Sequence, residues 1–216
     1  MNITLEAAAI GSGLGAAVPP LSIGIADGAP TVIAVETDER PMLVSMLIGG
    51  RVRADSGRIR IDGREDASAL RAATALVDTP FVSEPPAAVS LATIVAEELS
   101  YSDLPTSTRA VAEVLRTHGL TDYAKLPVRS LPATDRIRLF SELALLRDGV
   151  RCIVVTSPER HGAEPAEWYP TLAGIAERGI AVAIVTDALT RKFLLTLGAE
   201  DASAAVPAIA PESRKS

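Results

Sequence analysis

The 216-residue sequence holds one cysteine, two histidines, three lysines and only 3% aromatic residues. Each shortage closes a class of function. Cys152, in the apolar run CIVV, has no partner for a disulfide, and with His118 and His161 it is too little to assemble a His/Cys metal centre. We read it as a buried, inert thiol suited to a reducing cytoplasm. Three lysines accompany 18 arginines, which are scattered along the chain, and the net charge is -6 with a pI near 5.0. That balance leaves no basic footprint for nucleic acid. The N-terminal MNITLEAAAIGSGLGAAVPP has no basic residue ahead of its apolar part and carries Glu6 and a Pro-Pro break, unlike a signal peptide or a membrane span. No internal repeat or low-complexity tract occurs. What the chain does have is 48% hydrophobic residues, enough to bury the core of one soluble domain.

The hydrophobic pattern orders the chain. Residues 3–9 and 21–26 read as short strands joined through GSGLGAAVPP, a β-ribbon start. TVIAV (31–35) is a β-branched apolar run suited to a strand covered on both faces, and residues 41–48 have apolar positions at helical spacing with Pro41 in the first turn. GRIRIDG alternates as a strand, and TALVD (74–78) is a short buried one. The middle turns helical: SLATIVAEEL, STRAVAEVLRTHGL and ATDRIRLFSELALLRDG. Then strands RCIVVTS and AVAIVTD alternate with helices through PTLAGIAERG and LTRKFLLTLG. Trp168 and Tyr169 in AEWYP are read as packing at a helix start, with an exposed contact surface as the alternative. Alternating strands and helices imply a largely parallel sheet, and the helical middle implies an inserted subdomain at about residues 79–147. The expected organisation is a single domain over 1–207 with a flexible tail at 208–216.

The stretch LIGGRVRADSGRIRIDG, followed in order by VSLATIVAEEL, SLPATDRIRLFSELALLRDGVRCIVVTSPE, GAEP and AVAIVTD, resembles the nucleotide-binding subunit of ATP-binding cassette (ABC) transporters, over about residues 3–207. The resemblance implies an α/β fold with a phosphate-loop-type core, a largely parallel sheet, an N-terminal antiparallel β-ribbon and an inserted helical subdomain. It also implies where the family's chemistry belongs, and at those positions this sequence departs. Aligned on Gly49, the phosphate-loop lysine falls on Arg40, the Ser/Thr pair on Pro41 and Met42, and flanking glycines on Ala34 and Glu39. Glycines let the backbone close on phosphates, and lysine supplies a compact cation. Arginine is longer and planar, proline removes a donor, and Glu36, Asp38 and Glu39 put carboxylates where an anion would sit.

The remaining motifs depart in the same way. The carboxylate pair expected at the end of a core strand aligns with Thr156 and Ser157, whose hydroxyls do not ionise near neutral pH. The family's signature glycines and glutamine align within Leu131, Pro132, Ala133, Thr134 and Asp135, the switch histidine with Asp187, and a magnesium-contacting glutamine with Thr79. Glu164 keeps an acid in the loop that crosses between subunits. No Gly-Lys-Ser/Thr occurs anywhere, and the sole Asp-Glu, Asp38-Glu39, lies ahead of the helical middle. Ser157 with His161 lacks a nucleophile elbow, so a Ser/His hydrolase is set aside. The expectation is a pseudo-ATPase with no cofactor and no metal, peripheral on the cytoplasmic face of a membrane. Its implied partners are a permease-like membrane protein received around residues 79–99, a second ABC ATPase subunit, or a second copy. An active or weakly active ABC ATPase using ATP and magnesium, and a soluble regulatory or scaffold protein, are the alternatives.

Overall fold

The computed structural model describes residues 1–35 and 40–205. One layer is antiparallel: β1 (Asn2–Ile10) lies between β2 (Val18–Ala26) and β4 (Ser56–Ile61), with Leu5 opposite Ile23 on one side and Ile59 on the other. Alternation puts Ile3, Leu5, Ile23 and Ile25 on the buried face. The ribbon bulges at Ala7, which has φ 48° and donates its N–H to Ser22 Oγ at 2.9 Å. Across the bulge, a Cβ on Gly57 would come within 2.2 Å of the Ala7 carbonyl oxygen, so only glycine fits there.

The second layer is a five-stranded parallel sheet in the spatial order β5 (Thr74–Val77), β6 (Cys152–Thr156), β7 (Ala181–Thr186), β3 (Thr31–Ala34) and β8 (Glu200–Asp201). Its four longer strands, β3, β5, β6 and β7, are largely apolar because both faces are covered, whereas β8 is a two-residue polar edge. Alternate residues divide between two cores. Val32, Ile153, Val155, Val182 and Ile184 join a core with α3 (Leu91–Tyr101), α4 (Thr108–Thr117), α5 (Ala133–Ala144) and α6 (Pro165–Glu177). Ile33, Cys152, Val154, Ala183 and Val185 point the other way, into a core with α1 (Arg40–Ile48), β1 and β2. Trp168 and Tyr169 are buried in the first core, as packing residues.

Between β5 and β6 the chain forms α3, α4 and α5, and α5 also packs against both strands. Serine caps open two of these helices: Ser90 Oγ accepts from Thr93 N and Ser107 Oγ from Ala110 N. Two elements have no counterpart in the sequence pattern. One is α2 (Ala67–Ala73), started by Asp66 capping the Ser68 and Ala69 amides; the other is β8, two residues added to the edge of β3. After β7, α7 (Ala188–Thr196) completes the layer, and no helix among the described residues is long and apolar enough to cross a membrane.

Candidate functional site

Ligands of open parallel sheets bind outside the carboxyl ends of the strands, where the turns into the following helices meet. In this protein that edge holds the ends of β3, β5, β6 and β7. β3 ends at Ala34, and Arg40, Pro41 and Met42 open α1, with Arg40 Nε donating to the Ala17 carbonyl at 3.2 Å. Glu39, with Glu36 and Asp38, lies outside the described residues. β6 ends at Thr156, and Ser157 follows in the left-handed region at φ 46°. After β5 come Asp78 at φ 54° and Phe81 at φ 60°, so three non-glycine residues hold this strained conformation at one edge.

The centre of the edge is a chain of hydroxyls. Thr79 Oγ1 lies 2.7 Å from Thr156 Oγ1, Thr156 Oγ1 lies 2.8 Å from Ser45 Oγ, and Ser45 Oγ donates to the Pro41 carbonyl at 2.8 Å. All three residues are fully buried. Each hydroxyl has one proton, so Ser45, committed to Pro41, must accept from Thr156, which in turn accepts from Thr79. The chain runs one way and ends on a carbonyl. It is neutral and satisfied without a ligand.

Beside it sits a buried charge network. Arg136, from the first half of α5, donates Nε and Nη2 to the two oxygens of Asp78, each at 2.7 Å, and its guanidinium lies 5.4 Å from the Phe140 ring. Asp78 is also 3.2 Å from Arg160 Nη2 and 2.7 Å from His161 Nε2, the latter a close approach without hydrogen-bond alignment. Burial pushes the Asp78 carboxyl up, but Arg136 and His161 outweigh it and hold it well below the usual carboxylate range. Arg160 donates to the carbonyls of Asp78, Thr156 and Ser157, closing over the strand ends. No hydrogen bond joins Ser157 to His161 among the described residues; the histidine faces Asp78.

The other predicted positions are placed around this centre. Asp187 caps α7, accepting from the Leu189 and Thr190 amides at 2.7 and 2.8 Å; burial would raise its pKa, but these bonds lower it. Leu131 and Pro132 lead into α5, Ala133 and Thr134 begin it, and Asp135 in its first turn pairs with Arg138 at 2.6 Å. Glu164 stands at the N-cap of α6 without a side-chain cap bond. The sequence reading missed Ser45, Asp78, Arg136, Arg160 and Glu159. Glu159 accepts from Thr186 Oγ1 at 2.8 Å, and burial raises its pKa. No group of three His, Cys, Asp or Glu among the described residues is arranged to hold a metal ion. A hydroxyl chain at the strand ends does not fit the magnesium that the ABC resemblance implies.

No protein-family model matches this sequence, and no curated protein matches it. Solved structures do match in fold. A nucleotide-free ATP-binding cassette from an ABC transporter superposes with a TM-score of 0.64 at 17% identity, covering 91% of this chain and 85% of that one. The ADP conformation of another ABC-transporter cassette gives 0.62 at 17% identity, covering 87% and 82%. Clostridium perfringens cbiO1, part of the ABC transporter complex cbiONQ, gives 0.61 at 18% identity, covering 86% and 78%. The α/β fold, with its parallel and antiparallel sheets, is that of the ATP-binding cassette.

Proposed function

We propose that this ATP-binding-cassette fold is a pseudo-ATPase: a catalytically inactive subunit that serves protein contacts in a membrane transporter-type complex. The observation that carries the reading is the hydroxyl chain Thr79–Thr156–Ser45. Thr156 stands where the resemblance expects a magnesium-binding carboxylate and Thr79 where it expects a glutamine, and Ser45 of α1 ties both to the Pro41 carbonyl. Threonine offers no anionic ligand near neutral pH, and the nearest buried carboxylate, Asp78, is committed to Arg136. The departures at Ala34, Glu39, Arg40, Pro41, Met42, Ser157, Leu131, Pro132, Ala133, Thr134, Asp135 and Asp187 support the same reading, in which neither ATP nor magnesium is bound.

Partner binding draws support from the surface around residues 79–99 and beyond. Phe81 is 93% exposed, and Val82 and Tyr101 border a cavity of about 380 Å³ that also reaches Glu98 and Arg147. A permease-like membrane protein is the partner this surface fits, with a second cassette subunit or a second copy completing the assembly on the cytoplasmic face. Millimolar Mg-ATP is expected to leave the melting temperature unchanged, because only a ligand of the folded state raises it. Affinity purification in mild detergent is expected to recover a multispanning membrane protein in stoichiometric amount. Nucleotide-dependent stabilisation would overturn the pseudo-ATPase reading, and recovery with soluble proteins alone would favour the regulatory one.

One observation favours the active alternative. Glu159, three residues past the end of β6, has a pKa raised by burial, as a general base would. Under that alternative Glu159→Gln abolishes a measurable ATPase rate; under ours there is no rate to abolish.

A further inference from the structure

A cavity of about 580 Å³ lies between the loop after α1, β4 and α2, lined by Arg51, Arg53, Arg58 and Arg71 together with Asp55 and Glu65. It sits at the C-terminal end of α1, roughly 13 Å along that helix from the strand-end site. Close backbone contact builds its floor. Gly50 has φ 65°, and a Cβ there would meet Leu70 Cδ2 at 3.1 Å and the Ala67 carbonyl oxygen at 3.2 Å. Arg51 folds back to donate to the carbonyls of Gly49 and Thr74 at 2.6 and 2.8 Å, and Arg71 donates to the Gly50 carbonyl at 3.1 Å. Carbonyls orient these guanidiniums without neutralising them.

The charge is unbalanced. Among the described residues Arg51, Arg53 and Arg71 have no carboxylate within ion-pair distance, and Arg58 has Glu65 only at 3.7 Å. The two acids offset part of this charge: Asp55 Oδ2 accepts from Gly11 N at 2.7 Å, and Glu65 is divided between Arg58 at 3.7 Å and Arg60, outside the cavity, at 3.8 Å. Burial, with the neighbouring charges of Arg147 and Arg71, lowers the pKa of Arg51. Four guanidiniums facing two carboxylates leave a cavity of ligand size with an excess of positive charge, and guanidiniums present the fork geometry that phosphate oxygens accept.

We propose that this cavity binds a phosphate-bearing anion, held by Arg53 and Arg71 against the fixed guanidinium of Arg51. The anion is either a soluble phosphate compound or the phosphorylated headgroup of a membrane lipid. The site shares no residue with the strand-end edge; Arg51 also lines the cavity beside Tyr101, so the test reads Arg53 and Arg71, and its outcome is separate from that of the pseudo-ATPase reading.

The test uses two probes on the full chain. Sodium pyrophosphate is titrated calorimetrically, and sedimentation is measured with phosphatidylcholine vesicles carrying phosphatidylinositol 4-phosphate, both at about 0.15 M salt to suppress nonspecific attraction. Binding to either probe is expected, weakened about tenfold or more by Arg53→Gln and by Arg71→Gln. Arg109→Gln, which removes an exposed guanidinium outside the cavity, is expected to change nothing. The probe that responds identifies the source. Arg53 makes no contact that folding needs, so its variant keeps the test valid if Arg71→Gln destabilises the chain. Absence of binding to both probes, or binding unchanged in Arg53→Gln, overturns the proposal.

Discussion

Replacing Arg136 by methionine keeps the stem of the side chain and strands Asp78. The carboxylate loses a two-pronged hydrogen bond of 2.7 Å on each oxygen in a setting where both side chains are at most 6% exposed. Breaking a buried pair from one side costs about 3–5 kcal/mol. Arg160 and His161 remain within 3.2 and 2.7 Å of the carboxylate and compensate in part, which favours the lower end of that range. For a domain of this size a loss of about 3 kcal/mol lowers the melting temperature by about 6–12 °C.

The pH dependence carries the sign. A carboxylate whose folded pKa is depressed contributes stability that is complete above its unfolded pKa, about 4, and is lost as pH falls through the folded value. Without Arg136 the Asp78 pKa returns upward and that contribution is missing at neutral pH. Urea denaturation of wild type and Arg136→Met is therefore expected to show the full deficit at pH 7 and a smaller one at about pH 3.5. Removing both charges, in Asp78→Leu/Arg136→Met, is expected to recover at least half of the loss, because no buried charge is left unpaired. Equal stability of Arg136→Met and wild type at pH 7, or a deficit independent of pH, would refute the reasoning.

Thr156→Val removes the middle of the hydroxyl chain and leaves Thr79 without its acceptor; a loss of about 1–3 kcal/mol is expected by denaturant titration. Gly57→Ala forces a Cβ to within 2.2 Å of the Ala7 carbonyl oxygen and strains a residue at φ 79°; a loss of about 3 kcal/mol or more, or failure to fold, is expected in circular dichroism melts. Burial pushes the Cys152 thiol up to about 12, so an aromatic disulfide reagent at about pH 8 is expected to label it only after unfolding.

The parallel strands were legible because β-branched apolar runs such as TVIA, CIVVT and AVAIVT have one use in a soluble domain, a sheet covered on both faces. The bent ribbon at GRIRI was legible from its alternation. α2 was not, since seven alanine-rich residues carry no stripe and only Asp66 marks the start; β8 was not, since Glu200 and Asp201 have no strand propensity and are ordered by the edge of β3. At the strand ends the sequence located Thr79, Thr156 and Asp187 but gave no hint that Asp78 meets residues 58 and 83 positions away in Arg136 and His161. The arginines look scattered along the chain, and folding gathers four of them around one cavity.

The place of β3 in the sheet constrains how the molecule comes into being. It is the first strand of the parallel layer to be synthesised, yet its neighbours are β7 and β8, from residues 181–186 and 200–201. The antiparallel ribbon of β1, β2 and β4 has all its strands once residue 61 has emerged from the ribosome. Val32 and Ile33 must then wait through some 120 residues of further synthesis, with loop closure that long opposing early pairing. Until then they are an open apolar edge in the nascent chain, a template for pairing with other chains, and a transcript cut short before β7 yields a product with nothing to cover them.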